Sequence, residues 1–156
     1  MRAIVTGSFD PFTLGHLEIV KRALEMFSEV YVVALVNENK QYMFTMEQKK
    51  RILELSTKEL KNVVVDAFAG MTSDYMHEHK ITKIVRGYRN SKDLDYEKEL
   101  SQKMTQCDKN FETILLKCDE KFSEISSTSA RKAIIDKDDL TNYLHIDAIQ
   151  YIDTIL

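Results

Sequence analysis

The chain has little of what marks a linker, a disulfide scaffold, a membrane anchor or a nucleic-acid binder. One proline and four glycines in 156 residues leave no Pro/Gly-rich linker, and neither an internal repeat nor a composition break divides the sequence. Residues 1–156 therefore read as one domain, long enough to bury a real core. Cys107 and Cys118 are the only cysteines and neither belongs to a C-x-x-C motif, so two reduced structural thiols in a cytoplasmic protein are expected. No run of about 18 apolar residues is present to span a membrane. The N-terminus enters the first strand pattern directly, which leaves no room for a signal peptide. Excess positive charge is missing as well: 22 Lys+Arg against 25 Asp+Glu give a net charge of −3. That balance offers no general attraction to nucleic acid or an acidic membrane, so cations that bind phosphate have to be gathered locally.

What is present is an alternation of strand and helix patterns. Strands are expected at Arg2–Thr6, Val30–Val36, Val63–Phe68, Lys83–Val85 and Thr113–Leu116. Helices are expected at Gly15–Phe27, from a Thr45 cap to Leu60, and at Thr72–His79, Leu94–Gln106, Thr128–Ile135 and Thr141–Ile155. Short β-branched strands buried on both faces, each followed by a helix, imply an α/β fold: a doubly wound, Rossmann-like, parallel five-stranded sheet with helices on both faces. In such sheets the ligand sits outside the carboxyl ends of the strands, near the switch in strand order. Segments 7–16, 37–44, 69–72, 86–97 and 119–128 follow the five strands, so five loops converge on one crevice.

Those loops hold the candidate chemistry. Gly7-Ser8-Phe9-Asp10-Pro11-Phe12-Thr13-Leu14-Gly15-His16 joins a strand to a helix, a geometry that aims backbone N–H groups and a helix dipole at an anion. Ser8 adds a hydroxyl and His16 an imidazole on the first helical turn. Lys40, after the second strand, is placed to clamp a phosphate. Arg86 and Arg89 flank Gly87-Tyr88 and can hold two phosphate-bearing ligands. Asp93 and Asp95 open the next helix, where acidic side chains favour the dipole. Ile125-Ser126-Ser127-Thr128-Ser129-Ala130-Arg131 is a hydroxyl-rich turn that either caps a helix or cradles a polyphosphate. His77 and His79 lie two apart on a helix and make a poor chelating pair; they and His145 read as surface histidines. Asp136, Asp138 and Asp139 lack the pattern of a calcium loop, and no metal site is expected.

The 7–16 stretch resembles the T/H-x-G-H signature of the nucleotidyltransferase superfamily, distant relatives of the class I tRNA synthetases. Other motifs extend the likeness: Lys40 before Met43-Phe44-Thr45, Gly70-Met71-Thr72, Arg86-Gly87-Tyr88-Arg89 before Asp93-Leu94-Asp95-Tyr96-Glu97, and Ile125-Ser126-Ser127-Thr128. With these, essentially the whole chain resembles the bacterial phosphopantetheine adenylyltransferase family of coenzyme A synthesis. Thr13 stands where related cytidylyltransferases and nicotinate or nicotinamide mononucleotide adenylyltransferases usually place a His. The Arg-Gly-x-Arg-x-x-x-Asp-x-x-Tyr-Glu arrangement is likewise typical of the pantetheine branch.

The resemblance implies transfer of the adenylyl group of ATP to 4′-phosphopantetheine, by direct in-line attack without a covalent intermediate, giving dephospho-coenzyme A and pyrophosphate. It implies a catalytic set of Ser8, His16, Lys40 and Arg89, with His16 stabilising the pentacovalent phosphorus. Ser8, Lys40, Thr72 and Arg86 would hold phosphopantetheine. Ser8, Phe9, His16, Gly87, Tyr88, Arg89, Glu97 and the loop Phe122, Ser123, Glu124, Ile125, Ser126, Ser127 and Thr128 would hold ATP. Mg²⁺ would arrive with ATP and keep water ligands, without a dedicated carboxylate cage. A homohexamer, and coenzyme A as a feedback ligand, rest on the resemblance alone; no nucleic-acid or membrane partner is expected. Four positions depart from the family pattern: Thr6 replaces a usual Pro, Leu14 an Asn, Met104 an Asn near the pantetheine arm, and Lys132 a Glu. The alternatives are a nucleotidyltransferase with another phosphorylated acceptor, against which Thr13 and segment 86–97 argue, and a catalytically silent nucleotide-binding module. The set Ser8, His16, Lys40 and Arg89 speaks against the silent module, since binding alone does not need it. An RNA-binding synthetase fragment would need a basic surface that this chain lacks.

Overall fold

Five runs rich in β-branched residues become the strands of one parallel sheet: β1 (Arg2–Gly7), β2 (Glu29–Val36), β3 (Val63–Ala69), β4 (Lys83–Tyr88) and β5 (Glu112–Lys117). The helices are α1 (Leu14–Met26), α2 (Met46–Thr57), α3 (Thr72–His79), α4 (Ser91–Cys107), α5 (Ser127–Ile135) and α6 (Ile146–Ile155). This computed structural model describes residues 1–156. The spatial order is β3-β2-β1-β4-β5, so winding reverses between β1 and β4, as expected for the doubly wound class.

Alternation along β1 feeds two cores. Ala3 and Val5 join a cluster of 21 buried residues that α1, α2, α5 and α6 help to build. Ile4 points the other way, into a smaller cluster with Val33, Tyr75, Met76, Ile81, Ile84 and Phe111. The edge strands β3 and β5 contain no fully buried residue, which corrects the expectation of burial on both faces for every strand. Helix α4 packs on β4 and β5 and buries only Glu97. No helix is long and apolar enough to cross a membrane.

The sheet is unevenly joined. β1 and β2 stay in register from Arg2↔Glu29 to Gly7↔Ala34, but β1 and β4 are in register only at Ile4↔Ile84. Beyond that pair the Thr6 carbonyl accepts a hydrogen bond from Arg86 Nη1 at 2.9 Å, a side chain in place of a ladder N–H. The crevice therefore opens at the switch point.

Several element ends differ from the sequence expectations, each for a local reason. β4 runs to Tyr88 instead of Val85 because Arg86, Gly87 and Tyr88 pair with Leu115, Leu116 and Lys117. Those three residues belong to the strand and do not follow it. α4 starts at Ser91, three residues early, since Asn90 accepts the Asp93 N–H at 2.9 Å and caps it. α2 stops at Thr57, short of Leu60, after the Ser56 and Thr57 hydroxyls turn back onto the Ile52 and Leu53 carbonyls. α6 starts at Ile146 and not Thr141, with His145 as its cap.

Candidate active site

His16 is fixed before any ligand arrives. Thr13 and His16 form a capping box at the start of α1: the Thr13 N–H donates to His16 Nδ1 at 3.0 Å, and the His16 N–H reaches Thr13 Oγ1 at 3.4 Å. The ring lies edge-on to Phe9, with centroids 5.0 Å apart, and 5.5 Å from Phe12. Burial, with help from the Arg86 and then the Arg89 charge, lowers its pKa to about 4. The imidazole is therefore neutral near pH 7. Because Nδ1 accepts a backbone N–H, the proton sits on Nε2, which has no protein partner. The result is a neutral N–H donor with its orientation set by the helix cap.

The turn before it is equally constrained. Phe9 is buried with φ 45°, a left-handed conformation that a bulky residue adopts only when its surroundings hold it there. Its ring folds back over Gly7, where an added Cβ would lie 2.8 Å from Phe9 Cε1, so only glycine fits. Across the crevice, a Cβ on Gly87 would meet Ile19 at 2.9 Å, which lets α1 pack close against β4.

A cavity of about 260 Å³ opens at this point. It brings together Ser8, Phe9 and His16 from the first turn, Arg86, Gly87 and Arg89 from β4 and its exit, and Glu97 from α4. Phe122, Ile125, Ser126 and Ser127 supply a further wall, so the N-termini of α1 and α5 both face it. The Ser126 and Ser129 hydroxyls cap α5 reciprocally at 3.0 and 2.9 Å, and Ser127 Oγ donates to the Pro11 carbonyl at 2.8 Å. These hydroxyls hold the scaffold, which leaves the first N–H groups of α5 as anion donors.

Arg86 and Glu97 form a fork-to-fork ion pair, Nε to Oε2 and Nη2 to Oε1, each at 2.9 Å, with Glu97 6% exposed. Arg89 is held by Asp93 through its Nε at 3.2 Å and its backbone N–H at 3.1 Å. Beyond the Arg86–Glu97 pair lies a second cavity of about 70 Å³, walled by Thr72, Ile84, Leu100, Ser101, Met104 and Thr113. Thr6, Arg86 and Glu97 line both cavities, so one ion pair is the partition between them.

Not every expected site residue gathers here. Thr72 lines only the second cavity, while Lys40, Tyr88, Ser123, Glu124 and Thr128 line neither. Lys40 is exposed on the loop between β2 and α2. Among the departures, Met104 lines the second cavity and Thr6 stands in the partition. Leu14 packs onto the main core, and exposed Lys132 pairs with Asp136. Sequence reasoning gave Asp10 no task, yet it is 4% exposed and its two oxygens accept the Met43 and Phe44 N–H groups at 2.9 and 3.0 Å. Its place inside the 7–16 motif was the only sequence signal. Cys118 also lines the large cavity, with burial raising its thiol pKa.

The histidines correct one expectation. His77 is exposed and meets Asp108 at 2.9 Å, but His79 is half-buried and stacks on Tyr75 with centroids 3.9 Å apart. His145 is also half-buried and caps α6 by accepting the Asp147 N–H. Glu59, His145 and Asp147 lie within common reach of a metal ion, but Asp147 already pairs with Lys58 at 2.7 Å and none of the three lines either cavity.

Residues 4–133 match the cytidylyltransferase-like family. Over 133 residues the chain is 37% identical to a curated phosphopantetheine adenylyltransferase of Clostridium novyi (strain NT), an alignment that covers 85% of this chain and 83% of that protein.

Proposed function

The chain belongs to the cytidylyltransferase-like family, alongside the phosphopantetheine adenylyltransferases, and from that premise we propose which cavity and which residues serve each substrate. It is a nucleotidyltransferase of coenzyme A synthesis that transfers the adenylyl group of ATP to 4′-phosphopantetheine. The observation that carries the site assignment is the pair of cavities parted by Arg86 and Glu97. ATP occupies the larger one, with its phosphates on Ser8, the Phe9 backbone, His16, Arg89 and the α5 N-terminus. Phosphopantetheine enters from the smaller side, with its phosphate at Arg86 and Thr72, and Lys40 reaching in from its exposed loop.

An oxygen of the acceptor phosphate attacks the α-phosphorus of ATP. The new P–O bond forms as the bond to the β-phosphate oxygen breaks, and pyrophosphate leaves with the electron pair. The attacking oxygen is already anionic at neutral pH, so no general base is required. Catalysis comes from alignment and from donors aimed at the charge that builds on the α-phosphoryl oxygens. Neutral His16 suits that task, because its Nε2–H is held in place without the strong ground-state attraction of an imidazolium. The carboxylates in the large cavity, Asp93 and Glu97, are taken up by Arg89 and Arg86. Mg²⁺ therefore fits as an ion carried by the ATP phosphates and water, where it would offset charge on the leaving pyrophosphate.

The same reading extends to the setting. The whole chain acts as one cytoplasmic domain. It assembles as a homohexamer, which accords with an α4 that buries only Glu97 and leaves Tyr96 58% exposed. Coenzyme A, which combines the adenosine and pantetheine parts of the two substrates, would bind both cavities as a feedback ligand. The deciding assay is pyrophosphate release from Mg²⁺-ATP with a panel of phosphorylated acceptors. Turnover is expected with 4′-phosphopantetheine and scarcely with nicotinamide mononucleotide or glycerol 3-phosphate; equal turnover of nicotinamide mononucleotide would overturn the assignment.

A further inference from the structure

The loop that carries Lys40 has few contacts of its own. The Lys40 N–H closes a turn on the Asn37 carbonyl at 2.9 Å, and the Asn39 N–H bonds to Asn37 Oδ1 at 3.0 Å, both within the exposed tip. Two attachments reach outside the tip. At its C-terminal end, Met43 and Phe44 are bonded to the Asp10 carboxylate. At its base, the Asn37 N–H donates to the Tyr42 hydroxyl at 3.0 Å, and the Tyr42 ring covers the ammonium of Lys49, with Nζ 3.3 Å from the ring centroid.

Lys49 is an unusual residue to find there. It is 0% exposed, and its Nζ has no hydrogen-bond partner. It lies in the first turns of α2, the end of a helix that disfavours a cation. Stability alone would select an apolar side chain of the same length. What the ammonium does gain is the face of Tyr42, a cation–π contact strengthened by the loss of water.

We propose that Tyr42 and Lys49 form a clamp that positions Lys40 for the acceptor phosphate. The Tyr42 ring is pinned to the start of α2 by Lys49, and its hydroxyl fixes the first residue of the loop, so the turn bearing Lys40 is tied at both ends. Both are positioning residues, since neither lines either cavity. Around Lys49, burial lowers its pKa to about 8, with the Asp10 carboxylate raising it and the Arg131 guanidinium lowering it. The ammonium is thus mostly charged near pH 7. The clamp rests on the reading that Lys40 serves phosphopantetheine.

Kinetics and melting temperatures of Lys49→Met, Lys49→Arg, Tyr42→Ala, Lys40→Ala and the Lys40→Ala/Lys49→Met double variant test it. Lys49→Met is expected to melt no lower than the parent chain while its KM for phosphopantetheine rises about tenfold. Its KM for ATP stays within twofold, and Tyr42→Ala shows the same split. Lys49→Arg retains most of the parent's acceptor affinity. In the double variant, the Lys49 change adds little to the loss from Lys40→Ala, because there is no longer an ammonium to position. Parent-like kinetics in Lys49→Met, full additivity in the double variant, or failure of Lys49→Met to fold would each overturn the clamp while leaving Lys40 in its role. If Lys40→Ala itself behaves like the parent chain, the role of Lys40 falls and the clamp falls with it.

Discussion

The 7–16 turn and the 37–44 loop follow neighbouring strands, β1 and β2, yet they are held by different means. The first is shaped within its own segment, by a left-handed Phe9 folded over Gly7 and a Thr13–His16 capping box, and is then tied to α5 through Ser127 on the Pro11 carbonyl and Arg131 on the Asp10 carbonyl. The second is secured by side chains that come from elsewhere, Asp10 at one end and Lys49 beneath Tyr42. The first turn is already shaped for an anion. The second depends on a few attachments, and each can be changed without touching the helix caps. In the proposed reaction, the donor at the developing charge is fixed in advance, whereas the contact to the acceptor is adjustable.

The comparison is tested most severely at His16, where cap and donor share one ring. His16→Ala should lower kcat by about 10²–10³-fold, or roughly 3–4 kcal/mol, with ATP affinity changed far less. His16→Gln can keep the capping box while removing the imidazole Nε2, so it should melt near the parent temperature and remain slow. A His16→Gln enzyme with parent-like kcat would mean that the ring only caps α1.

Asp10 joins the two regions, and its effect should be smaller. Asp10→Asn leaves one of two backbone N–H groups facing an amide, at a cost of about 1–3 kcal/mol. Amide hydrogen exchange at Met43 and Phe44 should quicken, while exchange at Leu17, in the first turns of α1, stays nearly as slow. Equal quickening in both regions would erase the distinction between them.

The pH dependence of stability separates the two buried bases, one in each region. The folded pKa of His16, about 4, lies below the ordinary 6.5 of an exposed imidazole, so its contribution to stability is present above pH 6.5 and is lost as pH falls toward 4. For Lys49 the folded value of about 8 also lies below the ordinary 10.5 of an exposed lysine, so stability should rise with pH between 8 and 10.5. Chemical denaturation of the parent, His16→Gln and Lys49→Met chains across these ranges separates the contributions: each variant should flatten its own window and leave the other unchanged.

These contrasts also explain what could be read from sequence. The sheet was legible because apolar β-branched runs alternate with helical periodicity, and the first turn because its residues lie within one short segment. The end of β4 was not, since Arg86-Gly87-Tyr88 has no strand pattern until β5 lies beside it. The start of α4 was missed because the cap is Asn90, while the acidic residues that suggested the start lie further on. The pairing of Arg86 with Glu97, the reach of Asp10 to Met43 and Phe44, and the burial of Lys49 are tertiary facts. They join residues whose partners no local pattern identifies.

The central claim is that the Arg86–Glu97 pair parts two substrate cavities, and calorimetric titration of two arginine variants tests it most directly. Arg86→Gln keeps a hydrogen-bond donor beside the buried Glu97 carboxylate, and Arg89→Ala removes a cation from the larger cavity. With each purified variant titrated separately with phosphopantetheine and with ATP, Arg86→Gln should lose mainly phosphopantetheine affinity and Arg89→Ala mainly ATP affinity. Loss of the same ligand in both variants would contradict the partition.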